Sequence, residues 1–255
     1  MAPLTVAVLG LGEAGSALAA DLVAADAVVR GFDPAVASVP PDVEAALDAA
    51  AAARGSDVVL SVNAAAVAVE VARSAVDGLS AGQVYADLNT GGPALKRELA
   101  ALVAPSGAAF ADVALMAPVP GRGLRTPALV SGPGAEDFAA RLGPLGMPIE
   151  VLGAEPGAAA ARKLLRSVFM KGLAAACIES VRAARAAGCE DWMRAEIAGV
   201  LDAALLERLL TGSERHATRR VHEVRDAREL LAELGVEGRV SAAAEGWLTE
   251  LERER

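Results

Sequence analysis

Two groups of residues have types and spacings suited to chemistry. The first is Gly10-Leu11-Gly12-Glu13-Ala14-Gly15, set between an apolar run and an Ala-rich one. In such a turn the first glycine permits a tight bend and the second lets backbone approach a pyrophosphate. The third lets the helix pack closely on the strand. Unpaired N–H groups at the helix start then hold the phosphates. An acid, Asp33, ends the next apolar run. Its carboxylate would accept from the hydroxyls of an adenine ribose and repel a 2′-phosphate, so NAD is expected over NADP. These six turn residues and Asp33 are the expected cofactor contacts. The glycine pattern also serves FAD, S-adenosylmethionine or turns that bind nothing. Its strand–turn–helix setting together with Asp33 favours a nicotinamide dinucleotide.

The second group is ARKLLRSVFMKG, residues 161–172, where Lys163, Ser167 and Lys171 lie one turn apart in an apolar helical run. On a helical wheel Leu164, Leu165, Val168, Phe169, Leu173 and Ala176 form a broad apolar arc, while Lys163, Ser167 and Ala174 share another face with Lys171 at its edge. Hydride transfer to or from a hydroxyl-bearing carbon needs a group that exchanges the hydroxyl proton. A lysine serves if burial or nearby positive charge brings it down from its usual value of about 10.4. Ser167 adds a hydroxyl beside it. The plainer alternative is lysines that run along an apolar face to reach water, with Lys171 solvated or paired with Glu179 or a partner subunit.

The elements that must position these groups follow from periodicity. Strands are expected at 4–10, 27–33, 57–63 and 84–89, then in AAFADVAL, TPALVSG and near PIEVLG. Helices are expected at 14–25, around 42–53, at about 65–76, at 93–104 with Pro93 in its first turn, and after Gly134. Alternating short strands and helices predict a mainly parallel sheet covered on both faces. From Gly157 onward only helices are expected, the first over roughly 157–186, with breaks near Gly188, Thr211–Ser213 and Gly235–Gly238. The fold class is therefore an α/β Rossmann-type N-terminal domain, 1–155, followed by an all-α domain, 156–255. Ligands in such sheets lie beyond the carboxyl ends of the strands, which puts Asn63 and Asn89-Thr90-Gly91-Gly92 near the cofactor. As turn residues before a Pro93 helix they need no such role.

Composition narrows the classes. With 255 residues, 54% hydrophobic but only 3% aromatic, the core must be built from Ala, Val and Leu. A net charge of −9 argues against a nucleic-acid partner. Uninterrupted apolar runs fall short of the ~18–20 residues of a membrane span, and MAPLTVAVLG lacks the basic segment of a signal peptide. Cys177 and Cys189 fit reduced thiols in the cytoplasm, and with only His216 and His222 beside them no metal site is expected. The long first helix has more apolar face than one small domain uses. A homodimer through the helical domain is therefore expected, with Trp192 and Trp247 either joining that surface or lying in the core.

GLGEAGSALA at 10–19, DLNTGGP at 87–93, APVPGRG at 117–123 and GAAAARKLLRS at 157–167 occur in the order and spacing of one family. The chain resembles the β-hydroxyacid dehydrogenases, the superfamily of 3-hydroxyisobutyrate and 6-phosphogluconate dehydrogenases, and a branch of it whose C-terminal domain is known only as phosphogluconate dehydrogenase-type. The resemblance implies an NAD(P)-dependent oxidoreductase acting on a small hydroxy acid or its carbonyl partner, with Lys163 as acid/base and Asn89 and Thr90 beside nicotinamide and substrate. The family's substrate loop usually reads Asp-Ala-Pro-Val-Ser-Gly-Gly. Here Met116 begins it and Pro120, Gly121 and Arg122 follow, which removes a serine hydroxyl and a backbone N–H. Arg122 or Arg125 would offer a guanidinium to an acidic substrate instead, or simply sit on the surface. Ser167 replaces the family's usual asparagine, and His222-Glu223 stand where a Lys-Asp pair is common. His222 is thus either a substrate contact or a surface histidine beside Arg219 and Arg220. An imine reductase and a non-catalytic NAD(P)-binding sensor or subunit are the alternative functions. Imine-reducing relatives commonly carry another residue where this chain has Lys163.

Overall fold

A computed structural model describes residues 3–36 and 38–254. They form two compact units, Met1–Ala161 and Arg162–Arg255. In the first, the chain runs through β1 (Thr5–Leu9), α1 (Glu13–Ala24), β2 (Val28–Phe32), β3 (Glu44–Ala45), α2 (Ala49–Ala53), β4 (Val58–Ser61), α3 (Ala68–Ala75), β5 (Val84–Asp87), α4 (Pro93–Val103), β6 (Ala109–Leu115), β7 (Ala128–Ser131), α5 (Ala135–Leu142) and β8 (Ile149–Val151).

Their strands form one sheet in the order β3-β2-β1-β4-β5-β6-β7-β8. All pairs are parallel except β6 with β7. Side chains alternate across a strand, so each strand supplies two cores. Val6, Val8, Val58, Leu60, Val84 and Ala86 pack with Leu18 and Leu22 of α1 and Phe138 of α5. Ala7, Leu9, Val59 and Tyr85 face the other way, against Ala52, Ala72, Leu99 and Val103 of α2, α3 and α4. The small residues let helices approach closely where aromatics are scarce.

The second unit consists of helices: most of α6 (Ala158–Ala186), then α7 (Glu190–Leu201), α8 (Ala203–Arg215), α9 (Ala217–Glu233) and α10 (Arg239–Arg253). Its core joins Ala174, Ile178 and Val181 to Leu206, Leu209, Val221, Val224 and Leu248. Among the described residues, no helix is long and apolar enough to cross a membrane.

Three expectations are corrected. Residues 42–53 do not form one helix. Asp42 takes a positive φ of 61°, Glu44–Ala45 joins the sheet edge, and the helix starts only where Asp48 Oδ1 accepts from the Ala51 N–H at 2.6 Å. The polar stretch Thr211–Ser213 does not break the chain either. Thr211 and Ser213 each donate to the carbonyl four residues back, at 2.6 Å, which satisfies them inside α8. The breaks fall instead at Asp202, which caps α8, and at His216. Finally, the apolar arc of α6 is only partly a core face: Leu164 is buried, yet Leu165 is 44% and Phe169 67% exposed, while Ser167 and Ala174 point inward.

Candidate active site

The glycine turn has the geometry its sequence requires. Gly10 sits at φ +103°, and a Cβ there would meet the Val62 carbonyl oxygen at 2.2 Å. A Cβ on Gly15 would lie 1.9 Å from the Gly10 oxygen, so α1 could not pack against β1. Around Gly12 nothing comes within 4 Å of such an atom. Gly12 begins α1 with no side-chain cap, which leaves the first N–H groups of the helix to a ligand. Leu11 and Ala14 complete the turn, and Gly12 and Glu13 are exposed beside it. A pyrophosphate fits this open, donor-rich start.

Asp33, just past β2, is folded back onto the turn. One carboxylate oxygen accepts from the Leu11 N–H at 2.7 Å and the other from the Ala35 N–H at 2.8 Å. Each oxygen keeps a lone pair for a hydroxyl donor. Arg30 points elsewhere, donating to the Arg54 carbonyl at 2.7 Å and lying near Glu44.

The ends of β4 and β5 bring Asn63 and Asn89 together. The Asn89 amide nitrogen donates to Asp87 Oδ1 at 2.5 Å and to Asn63 Oδ1 at 3.0 Å, while Asn89 Oδ1 accepts from the Asn63 N–H at 2.5 Å. Asp87 can only accept, so it dictates which end of the Asn89 amide faces it. Thr90 follows, partly exposed.

Beneath Asn89 lies a buried cluster that sequence reasoning missed. Lys96, 1% exposed, donates from Nζ to Asp87 Oδ2 at 2.5 Å and to the Asn89 carbonyl at 2.8 Å, and pairs with Asp112 Oδ1 at 3.3 Å. Burial alone would pull its ammonium down, but Asp87 and Asp112 hold it above the ordinary lysine value. Asp112 Oδ2 in turn accepts from the Ser131 hydroxyl at 3.2 Å and from the Ala160 N–H at 2.9 Å, in the first turn of α6. Two signals were legible. Lys96 occupies the buried face of α4 with Pro93, Leu99 and Val103, and Asp87 and Asp112 lie inside apolar strands, where they prove to be direct partners in the β5–β6 register.

The expected substrate loop follows β6. Pro120, Gly121, Arg122 and Arg125 are all exposed. The loop is pinned by Asp21 of α1, whose carboxylate accepts from the Leu124 N–H at 2.9 Å. A Cβ on Gly123 would fall 1.8 Å from Asp21 Oδ2, so any side chain there would displace the carboxylate that pins the loop.

In the helical unit, Lys163 is half-buried on α6. One turn on, Ser167 is 8% exposed, and its hydroxyl makes no hydrogen bond among the described residues. One turn further, Lys171 forms an ion pair with Glu223 of α9, not with Glu179, which accepts instead from Trp247. Burial lowers Lys171 below the usual lysine value, with Arg220 and Arg219 adding to the effect against the opposing pull of Glu223. Glu223 itself is pushed up by burial, but Lys171 outweighs that, Arg219 and Lys163 adding to it, and its carboxyl ends below the usual range. His222 is exposed beside Glu223, and Trp192 is 58% exposed.

A dinucleotide turn on a mainly parallel sheet, followed by a helical unit, defines an NAD(P)-dependent dehydrogenase or reductase. Comparison with known proteins agrees. Residues 5–125 match the NAD binding domain of 6-phosphogluconate dehydrogenase, and residues 184–251 match a domain of unknown function. A conserved hypothetical protein from Sinorhizobium meliloti is 31% identical, with 97% of this chain and 88% of that one covered and a TM-score of 0.78. A conserved protein described as structurally similar to 3-hydroxyacid dehydrogenases is 27% identical over 98% of this chain and 97% of its own, with a TM-score of 0.75. The 3-hydroxyisobutyrate dehydrogenase of Mycobacterium tuberculosis, solved with L-serine, shares the fold at 22% identity and a TM-score of 0.79, covering 98% and 94% of the two chains. No curated protein matches. The chain belongs to the β-hydroxyacid dehydrogenase superfamily, with 3-hydroxyisobutyrate and 6-phosphogluconate dehydrogenases.

Proposed function

We propose that the protein transfers hydride between NAD and a small hydroxy acid or its carbonyl partner, with Lys163 exchanging the hydroxyl proton. The observation that carries the dinucleotide part is the uncapped, open helix start at Gly12, with Asp33 folded against the same turn. A carboxylate there favours the free ribose diol of NAD over a 2′-phosphate. Bound nicotinamide supplies or accepts the hydride. The Lys163 amine takes the proton that the substrate hydroxyl loses on oxidation, or its ammonium returns one to the carbonyl oxygen on reduction, while the uncommitted Ser167 hydroxyl donates to substrate. Asn63 and Asn89, locked to each other, present their amides at the cofactor edge, and Thr90 follows them. Pro120, Gly121 and Arg122 meet the substrate's acidic group, and His222 is a further substrate contact. We place the functional boundary at 155/156, with the helical part pairing two copies, and assign the protein to the cytoplasm on its free Cys177 and Cys189.

A second reading, an NADH-binding sensor without turnover, is favoured by the exposed loop in which Pro120 offers no N–H. Paired NADH and NADPH oxidation against a panel of keto acids and cyclic imines separates the two. Turnover with NADH, lost by at least ~10²-fold in Lys163→Ala at unchanged NADH affinity, is the expected result. Equal turnover in that variant removes the lysine role, imine turnover alone makes the protein an imine reductase, and saturable NADH binding without turnover establishes the sensor. Asp33→Asn should erode the preference for NADH over NADPH, and an unchanged ratio overturns that assignment.

A further inference from the structure

The Lys96 cluster is more elaborate than packing requires. A lysine and two aspartates, all within 1% of full burial, carry one positive and two negative charges. A core of this size would be filled as well by apolar side chains, at no desolvation cost. What the charges add is reach in two directions. Toward the β4 and β5 ends, Lys96 Nζ bonds the Asn89 carbonyl while its partner Asp87 orients the Asn89 amide. Toward α6, Asp112 accepts from the Ala160 N–H, and Ser131 Oγ accepts from the Ala159 N–H at 3.0 Å. The excess negative charge thus lies against the positive end of a 29-residue helix, where it is stabilised. Lys163 follows three residues after Ala160 on that same helix.

We propose that Lys96 is a positioning residue for catalysis, setting the Asn89 amide through Asp87 and the start of the Lys163 helix through Asp112. The proposal rests on the role given above to Lys163 and Asn89. It also assigns different jobs to the two aspartates, and these can be separated.

Asp112→Ala keeps the neutral Lys96–Asp87 pair but releases the helix start, together with the Ser131 hydroxyl and one of the two carboxylates facing Lys96. Amide hydrogen exchange in peptides covering 158–166 should then speed up by at least ~10-fold, and kcat on the substrate returned by the screen should fall by a similar factor. NADH affinity, read by fluorescence titration, should stay within about twofold. Asp112→Asn retains an acceptor for the Ala160 N–H and should restore most of both losses. Lys96→Met combined with Asp87→Asn leaves Asp112 bonded to Ser131 and Ala160, which preserves folding. It should weaken NADH binding about five- to tenfold, the scale of one misaligned hydrogen bond, with exchange at 158–166 little changed.

Two variants that alter both readouts alike mark a purely structural cluster and overturn the proposal. So does unchanged exchange and affinity in both, or faster exchange at full kcat while Lys163→Ala is inactive. Full turnover in Lys163→Ala removes instead the lysine role on which the proposal rests, and the exchange and affinity arms still decide the two-ended brace.

Discussion

Lys96 and Lys171 are both lysines taken largely out of water, and their proton affinities move in opposite directions. Lys96, in the sheet unit, faces two carboxylates and three carbonyl or carboxylate acceptors, and is held above the ordinary value despite burial. Lys171, in the helical unit, faces one carboxylate shared with Arg219 and has Arg220 nearby, so burial prevails. The number of counter-charges thus decides the sign, more than depth does. A surplus of carboxylate makes a permanent ammonium suited to holding structure. A deficit makes an ammonium that gives up its proton more easily, one turn from Ser167 and two from Lys163.

The largest effect should come from uncovering the Lys96 carboxylates. Lys96→Met is expected to cost about 3–5 kcal/mol, because two buried charges lose their counter-ion. Adding Asp87→Asn should recover more than half of that in urea unfolding; a single variant as stable as the parent would show that water already reaches the cluster.

A smaller effect belongs to the helical pair. Glu223→Gln should cost about 1–3 kcal/mol, by leaving Lys171 with only arginines for company. The sign with pH is fixed by direction. Glu223 has a folded value below the ordinary 4.5, so its contribution is present above that pH and disappears as pH falls through the folded value. The stability gap between parent and variant should therefore close under acid. Lys96, held above 10.5, contributes at neutral pH and loses its contribution as pH rises through its folded value. A gap that widened in acid would contradict the Glu223 assignment.

The smallest effect marks the surface limit of the same comparison. Glu190 is clamped between Arg185 and Arg194, whose hydrogen bonds bring its carboxyl down to about 2 although it remains partly open to water. Glu190→Gln should shift the acid unfolding midpoint only slightly, and high salt should erase the shift, since exposed pairs are screened. A salt-independent shift would mean that the clamp is shielded from water.

The glycine turn was legible because its requirement is local: Gly10, Gly12 and Gly15 each answer a backbone or contact constraint within a few residues of one strand and helix. Seven of the eight strands were legible for the same reason, through apolar runs bounded by turn residues. The edge strand at Glu44–Ala45 was not, since two residues paired to a neighbour carry no period of their own. The α6 wheel misled because an arc describes one helix alone. Which side is buried depends on α8 and α9, and they cover Ala174 while leaving Phe169 open.

Sequence by itself determined the class of fold, the dinucleotide turn and the family, all of which rest on short-range spacing that any chain position can display. Tertiary structure alone decided that Asp87 and Asp112 are register partners sharing one lysine, that Asp112 receives the first turn of α6, and that Lys171 pairs with Glu223. Those facts join residues separated by 9 to 52 positions. A charge buried at such a distance has meaning only once its counter-charge has been brought beside it, because the energy of an ion out of water depends on its neighbours in space and not on its neighbours in the chain.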